Sequence, residues 1–163
     1  MKRIRADDAL GRDTTFRVLS PAAAPEGAPD VASVPAAEPP AERRGRILVV
    51  DDEPMIGRVM QRALASEHDV TLVEHGQEAL DLVKAGQSFD IIFCDLMMPQ
   101  MTGMDLYDHL VKVQSDLTAR MIFVTGGTFN ARAREFLEQV PNPRIEKPFH
   151  IKQLRALVNG RLG

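Results

Sequence analysis

The chain has 163 residues, a formal net charge of −3 and 44% hydrophobic residues, which suits one soluble globular domain with a modest extension and leaves no room for a second large domain. The slight acidity argues against non-specific nucleic-acid binding, and the cluster Arg43, Arg44 and Arg46 reads as a solvated boundary. No apolar run reaches membrane-spanning length and the N-terminus lacks a signal-peptide core, so a cytoplasmic protein without membrane contact is expected.

Residues 1–19 read as a tail. Residues 20–45 read as a disordered linker, because alanine and proline dominate and 20–42 contains no Leu, Ile or Phe, too little apolar surface to offset the entropy of ordering. Such a linker spans between about 25 and about 70 Å, depending on its polyproline content. The domain is expected over 46–163. It opens with Ile47, Leu48, Val49 and Val50, an apolar run without alternation, as in a strand covered on both faces. That run delivers Asp51 and Asp52 to its end, with Glu53 next and Pro54 placed to begin a helix.

The helix over 54–66 carries Ile56, Val59, Met60, Ala63 and Leu64 at helical spacing, and 70–73 is a short strand. A second helix over 76–85 turns Ala79, Leu80 and Val83 inward. The strand over 89–94 is the most apolar. It contains Cys94, the single cysteine, which excludes an intramolecular disulfide and reads as a small buried hydrophobe in a reducing compartment. It ends on Asp95. The helix over 103–114 offers Leu106, Tyr107, Leu110 and Val111 to the core, and the strand over 121–124 ends on Thr125, before Gly126 and Gly127. A helix from about 130 buries Ala133, Phe136, Leu137 and Val140, and the strand over 144–146 ends on Lys147 and Pro148. The last helix uses Ile151, Leu154, Leu157 and Val158. Five strands and five helices in strict alternation predict an α/β fold, a doubly wound five-stranded parallel sheet with helices on both faces.

Asp51, Asp52, Asp95, Thr125 and Lys147 all stand at C-terminal strand ends, which in a parallel sheet converge on one pocket at the switch point. Three carboxylates there repel, each pair by about 4 kcal/mol at about 4 Å and an effective dielectric of about 20. An open all-oxygen site suits Mg²⁺, and with Lys147 it suits a phosphoryl group, whose transfer rests on charge neutralisation and positioning. The glycines after Thr125 are not a phosphate loop, because no Lys-Ser or Lys-Thr follows.

Residues 46–163 resemble the flavodoxin-like receiver domain of two-component response regulators. The resemblance rests on strand ends Asp51–Asp52, Asp95 with Met98, Pro99 and Gly103, Thr125–Gly126, and Lys147–Pro148–Phe149. It implies that Asp95 is the phosphoacceptor and takes phosphate from a histidine kinase or histidine phosphotransfer protein. It implies Mg²⁺ held by Asp52, Asp95 and the backbone carbonyl of Met97, with Asp51 acting through water. Lys147 pairs with Asp95 and then with the phosphoryl oxygens, Thr125 swings to the phosphoryl group, and the Lys147–Pro148 peptide is cis. A phosphorylation-dependent dimer is a further expectation. A partner is expected to dock at Ile56, Gly57, Met60, Pro148 and Phe149. Met97 and Gly127 border the path of hydrolytic water and cannot hold it, so a long-lived phosphoryl group is expected. The family often has an aromatic where Arg144 stands, which puts the aromatic half of its switch in question.

Residues Gly11 to Pro21 resemble the closing strand of a histidine-kinase ATP-binding domain, with Asp13 at a usual glycine. This suggests the receiver end of a hybrid kinase; the other reading of the tail is an accidental match. No attached DNA-binding output and no kinase ATP site are expected in the chain. His68, His75, His109 and His150 lack a kinase-like setting. Two other functions fit less of the pattern. A Mg²⁺-dependent aspartyl phosphatase acting on small molecules would carry a second acid at Met97, and a binding-only receiver fold would not need the whole acid set.

Overall fold

The computed structural model describes residues 44–127 and 130–163; the tail and nearly all of the linker lie outside them. In chain order the elements are β1 (Arg46–Val50), α1 (Pro54–Leu64), β2 (Asp69–Val73), α2 (Gly76–Lys84) and β3 (Ile91–Asp95). There follow α3 (Gly103–Val113), α4 (Ser115–Thr118), β4 (Met121–Gly126), α5 (Ala131–Gln139), β5 (Arg144–Lys147) and α6 (Ile151–Leu162). The five strands are all parallel, in the order β2-β1-β3-β4-β5. Winding reverses between β1 and β3, so the switch point falls where the acidic strand ends predicted it.

Alternate residues of the central strands feed two cores. Ile47, Val49, Ile91, Phe93, Ile122 and Val124 pack with Met60 and Leu64 of α1 and Leu154 and Val158 of α6. Leu48, Val50, Ile92, Cys94 and Phe123 pack with Leu80 of α2, Leu106 and Leu110 of α3 and Leu137 of α5. With helices on both faces, the central strands β1, β3 and β4 need no polar side, which is why their runs read as continuously apolar. On the second face Phe123 and Phe136 meet edge to face at 5.3 Å between ring centroids, and Phe136 meets Tyr107 at 5.4 Å. Such contacts add to the burial of the rings.

The structure corrects the sequence reading in three places. A sixth helix, the single turn α4, follows α3 directly; it buries Leu117 and is clamped by Asn142, whose amide donates to the carbonyls of Thr118 and Met121. Val59, Val111 and Ile151 are not core residues, each being 47% exposed. The third strand begins at Ile91, because Asp90 turns aside to accept the Arg46 N–H on its carboxylate. At the start of the described residues Arg44 pairs with Asp69, and the Gly45 N–H donates to His68 Nδ1 at 3.3 Å.

Gly103 ties α3 to the end of β3. A Cβ at this position would lie 2.5 Å from the Asp95 carbonyl oxygen and 3.0 Å from Leu96 Cα, both backbone atoms that cannot step aside. Gly103→Ala is expected to lower the unfolding free energy by about 1–3 kcal/mol, read from urea denaturation.

His68 is 2% exposed and uses Nδ1 as an acceptor, so it is neutral. Burial pushes its pKa below the ordinary 6.5; Glu67 and Asp69 oppose the shift and Arg44 adds to it. The unfolded chain then binds the proton more readily, so His68 contributes stability that is present above 6.5 and lost as pH falls toward the folded value. Stability is expected to drop as pH is lowered through 6.5, and His68→Gln should flatten that part of the urea-midpoint profile.

Candidate functional site

The register brings the polar strand ends together. Val50 pairs with Cys94, Asp95 with Val124, and Gly126 with Lys147, so Asp51, Asp95, Thr125 and Lys147 emerge along one edge. Asp51, Asp95 and Thr125 are buried, at 0%, 5% and 1% exposure, and Asp52 is half-buried. One oxygen from each of Asp51, Asp52 and Asp95 lies within 4.8 Å of the others. Lys147 Nζ stands 2.7 Å from Asp95 Oδ2, 3.0 Å from Glu53 Oε1 and 3.1 Å from Asp51 Oδ2. The Lys147–Pro148 peptide is cis, as the resemblance implies.

Each acid is also aimed by backbone. Asp51 Oδ1 accepts the Glu53 N–H at 2.9 Å, and Asp95 Oδ1 accepts the Met97 N–H at 3.0 Å. Asp51 Oδ2 is buried and has no aligned hydrogen-bond donor, although Lys147 Nζ stands 3.1 Å away. Burial pushes the Asp51 carboxyl above the usual range, against the Glu53 N–H and Lys147, which pull it down. For Lys147, burial alone would lower the pKa. Its hydrogen bonds to Asp95 and Glu53, and the charges of Asp95 and Asp51, overcome this and hold the ammonium well above its ordinary value. Lys147 is therefore a fixed charge and not a proton donor at neutral pH.

Thr125 Oγ1 donates to the Ile145 carbonyl at 3.3 Å, so its hydroxyl is engaged by β5. Met97 is 40% exposed at the pocket rim, and Gly127 has a φ of 56°, a left-handed conformation suited to glycine. Arg144 is exposed and lines a groove with Arg134, Leu137, Glu138 and Glu146; no aromatic side chain stands at that position. Directly behind Asp95, the Cys94 thiol is wholly buried, donates to the Asp95 carbonyl at 3.3 Å and has its pKa pushed up by burial. Beside Lys147 lies an apolar groove of about 240 Å³ lined by Met55, Ile56, Val59, Pro148 and Phe149. Met60, expected at this surface, has no exposure at all and belongs to the core, whereas Met55 is 79% exposed.

Glu53 was missed by sequence reasoning. An acid one step beyond the Asp51–Asp52 pair and just before a helix-starting proline was the available signal, but its bond to Lys147 depends on a strand 94 residues away.

Fold and site together define a flavodoxin-like doubly wound domain with an acid pocket at its switch point. The chain belongs to the response regulator receiver domain family, whose profile matches residues 47–159. It is 32% identical to the sensor kinase CckA of Brucella abortus over 98% of this chain, although it spans only 18% of that protein. It is 30% identical to a chemotaxis protein CheY homologue of Campylobacter jejuni, covering 72% of this chain and 92% of that one. The receiver domain of Francisella response regulator 1452 superposes with a TM-score of 0.62 at 27% identity, covering 73% of this chain and 97% of that one. The chain spans about half, 51%, of two other curated regulators it matches. Among the described residues no helix is long and apolar enough to cross a membrane.

Receiver domains bind Mg²⁺ at an acidic pocket, and the residues here fit that ion. The donors are hard oxygens, three carboxylates converge, and Asp51 Oδ2 is buried without an aligned donor. Mg²⁺ at a hundred times its Kd is expected to raise the unfolding free energy by about 2.7 kcal/mol. Asp52→Asn should remove most of that increment in urea titrations with and without Mg²⁺.

Proposed function

We propose that this domain accepts a phosphoryl group on Asp95 from a phosphohistidine, carried by a histidine kinase or a phosphotransfer protein. The observation that carries the proposal is the contact of Lys147 Nζ with Asp95 Oδ2 at 2.7 Å, inside a pocket where three carboxylate oxygens converge. A carboxylate oxygen of Asp95 attacks phosphorus in line. The donor's P–N bond breaks and its electron pair leaves with the imidazole nitrogen. Asp52, Asp95 and the Met97 carbonyl would hold Mg²⁺, with Asp51 acting through water, and the ion would supply positive charge to the phosphoryl oxygens. Lys147 carries no proton across; it turns an N–H to a phosphoryl oxygen. The Thr125 hydroxyl leaves the Ile145 carbonyl for a phosphoryl oxygen, and this exchange is the switch. Arg144 takes no inward part in it.

The groove at Met55, Ile56, Val59 and Phe149 supports docking of a partner helix beside the pocket, with Met55 in the place expected of Met60. Alignment with the Brucella sensor kinase over 98% of the chain supports the reading of 46–163 as the receiver end of a hybrid kinase. On that reading the preceding residues are a linker and the end of an ATP-binding domain.

Acetyl phosphate with Mg²⁺ is expected to add a single phosphoryl group, a mass gain of about 80 Da, and Asp95→Asn should take none. After the donor is removed the label should persist for minutes or longer, because the Met97 thioether and Gly127 offer no strong hydrogen bond to an attacking water. Met97→Asn should shorten its lifetime, read by intact mass over time. Full labelling of Asp95→Asn would overturn the assignment.

A further inference from the structure

The charge around Lys147 does not close on the three aspartates. Glu53 is a fourth carboxylate in the set, with its side chain 58% exposed where that of Lys147 is 11% exposed. Four carboxylates against one ammonium leave three net negative charges, and a divalent cation would still leave one. Glu53 stands at the N-cap position of α1, yet its side chain makes no capping bond, and the first turn of α1 contains no acid. Its carboxylate reaches instead to Lys147 at 3.0 Å, while its own N–H holds Asp51 Oδ1 at 2.9 Å. Glu53 is thus anchored to the pocket by its backbone and stands at the rim by its side chain.

This changes what Lys147 can offer. Of its three neighbours, Asp95 Oδ2 and Glu53 Oε1 receive aligned hydrogen bonds, and Asp51 Oδ2 does not. One N–H is therefore drawn outward to the mouth. A phosphoryl group entering there needs that donor for its oxygens, and it meets the Glu53 carboxylate as a like charge.

We infer that Glu53 is a positioning residue for phosphoryl uptake: it holds one Lys147 N–H at the rim until the incoming phosphoryl group displaces it, and its charge disfavours dianionic donors relative to less charged ones. The inference rests on the phosphoacceptor reading and deepens it. With acetyl phosphate, an Asp95 oxygen forms the new O–P bond, the bridging P–O bond breaks, and acetate leaves with the electron pair. Lys147 keeps its proton and exchanges the Glu53 carboxylate for a phosphoryl oxygen. Glu53, already more than half in water, returns to solvent at little loss.

The test measures labelling rates of the full chain at saturating Mg²⁺ for wild type, Glu53→Gln, Glu53→Ala and Asp95→Asn. The donors are dianionic acetyl phosphate and monoanionic phosphoramidate, each at low and high salt. Both Glu53 variants are expected to label about two- to fivefold faster with acetyl phosphate, the range spanned by an exposed ion pair. The gain should be smaller with phosphoramidate and should shrink in high salt, neither of which follows from a role in folding alone. Label confined to Asp95 at rates indifferent to residue 53, or slower in Glu53→Gln, overturns the role of Glu53 and leaves the phosphoacceptor reading standing. No label on wild type, or undiminished label on Asp95→Asn, overturns both.

Discussion

Everything distinctive in this domain follows from one constraint: like charges must be gathered at the edge of a sheet that excludes water. Asp51 and Asp95 are almost completely buried, and their mutual repulsion is strongest where the surroundings are least polar. Backbone N–H groups of Glu53 and Met97 and the ammonium of Lys147 hold them in place. Lys147 is the link between distant parts of the chain. It arrives on β5, the outermost strand beyond β4, and joins acids delivered by β1 and β3.

The apolar layers exist to hold that edge in register. A slip of one residue in any strand would turn its side chains to the other face, and both faces are packed. Ile92 and Cys94 could not exchange places with Ile91 and Phe93 without emptying one core and crowding the other. Gly103 works in the same direction from outside the sheet, since the start of α3 lies against the backbone of Asp95 and Leu96. Packing far from the pocket is in this way translated into ångström-level placement of its carboxylates.

Much of this could be read from the residues alone, because the three apolar runs of β1, β3 and β4 end on polar side chains of the kinds the pocket uses. Strand ends in a parallel sheet need no tertiary detail to be placed on a common edge, and Asp51, Asp52, Asp95, Thr125 and Lys147 required only their order. Other features depended on what lies across space. Val59, Val111 and Ile151 carry helical spacing but sit beside the buried stripe, since periodicity defines a stripe without defining its borders. The turn Ser115–Thr118 is too short to show a period. Met55 and Met60 are chemically the same, and only the facing sheet decides that one is solvent-exposed and the other sealed. Glu53 was invisible as a partner of Lys147 because nothing local sets the length or direction of that contact.

The position of Cys94 ties the chemical fate of sulfur to the integrity of the acid edge. It is the sole thiol of the chain, sealed between the second core and the carbonyl of Asp95, with ionisation suppressed by burial and by the adjacent carboxylates. Oxidants and electrophiles react with thiolate, so the folded domain presents them with an unreactive atom. The sulfur becomes available only when β3 parts from its neighbours, and that same opening scatters the carboxylates. Exposure of the thiol and loss of the pocket are one event, so the cysteine behind Asp95 adds no oxidative failure of its own to the folded site.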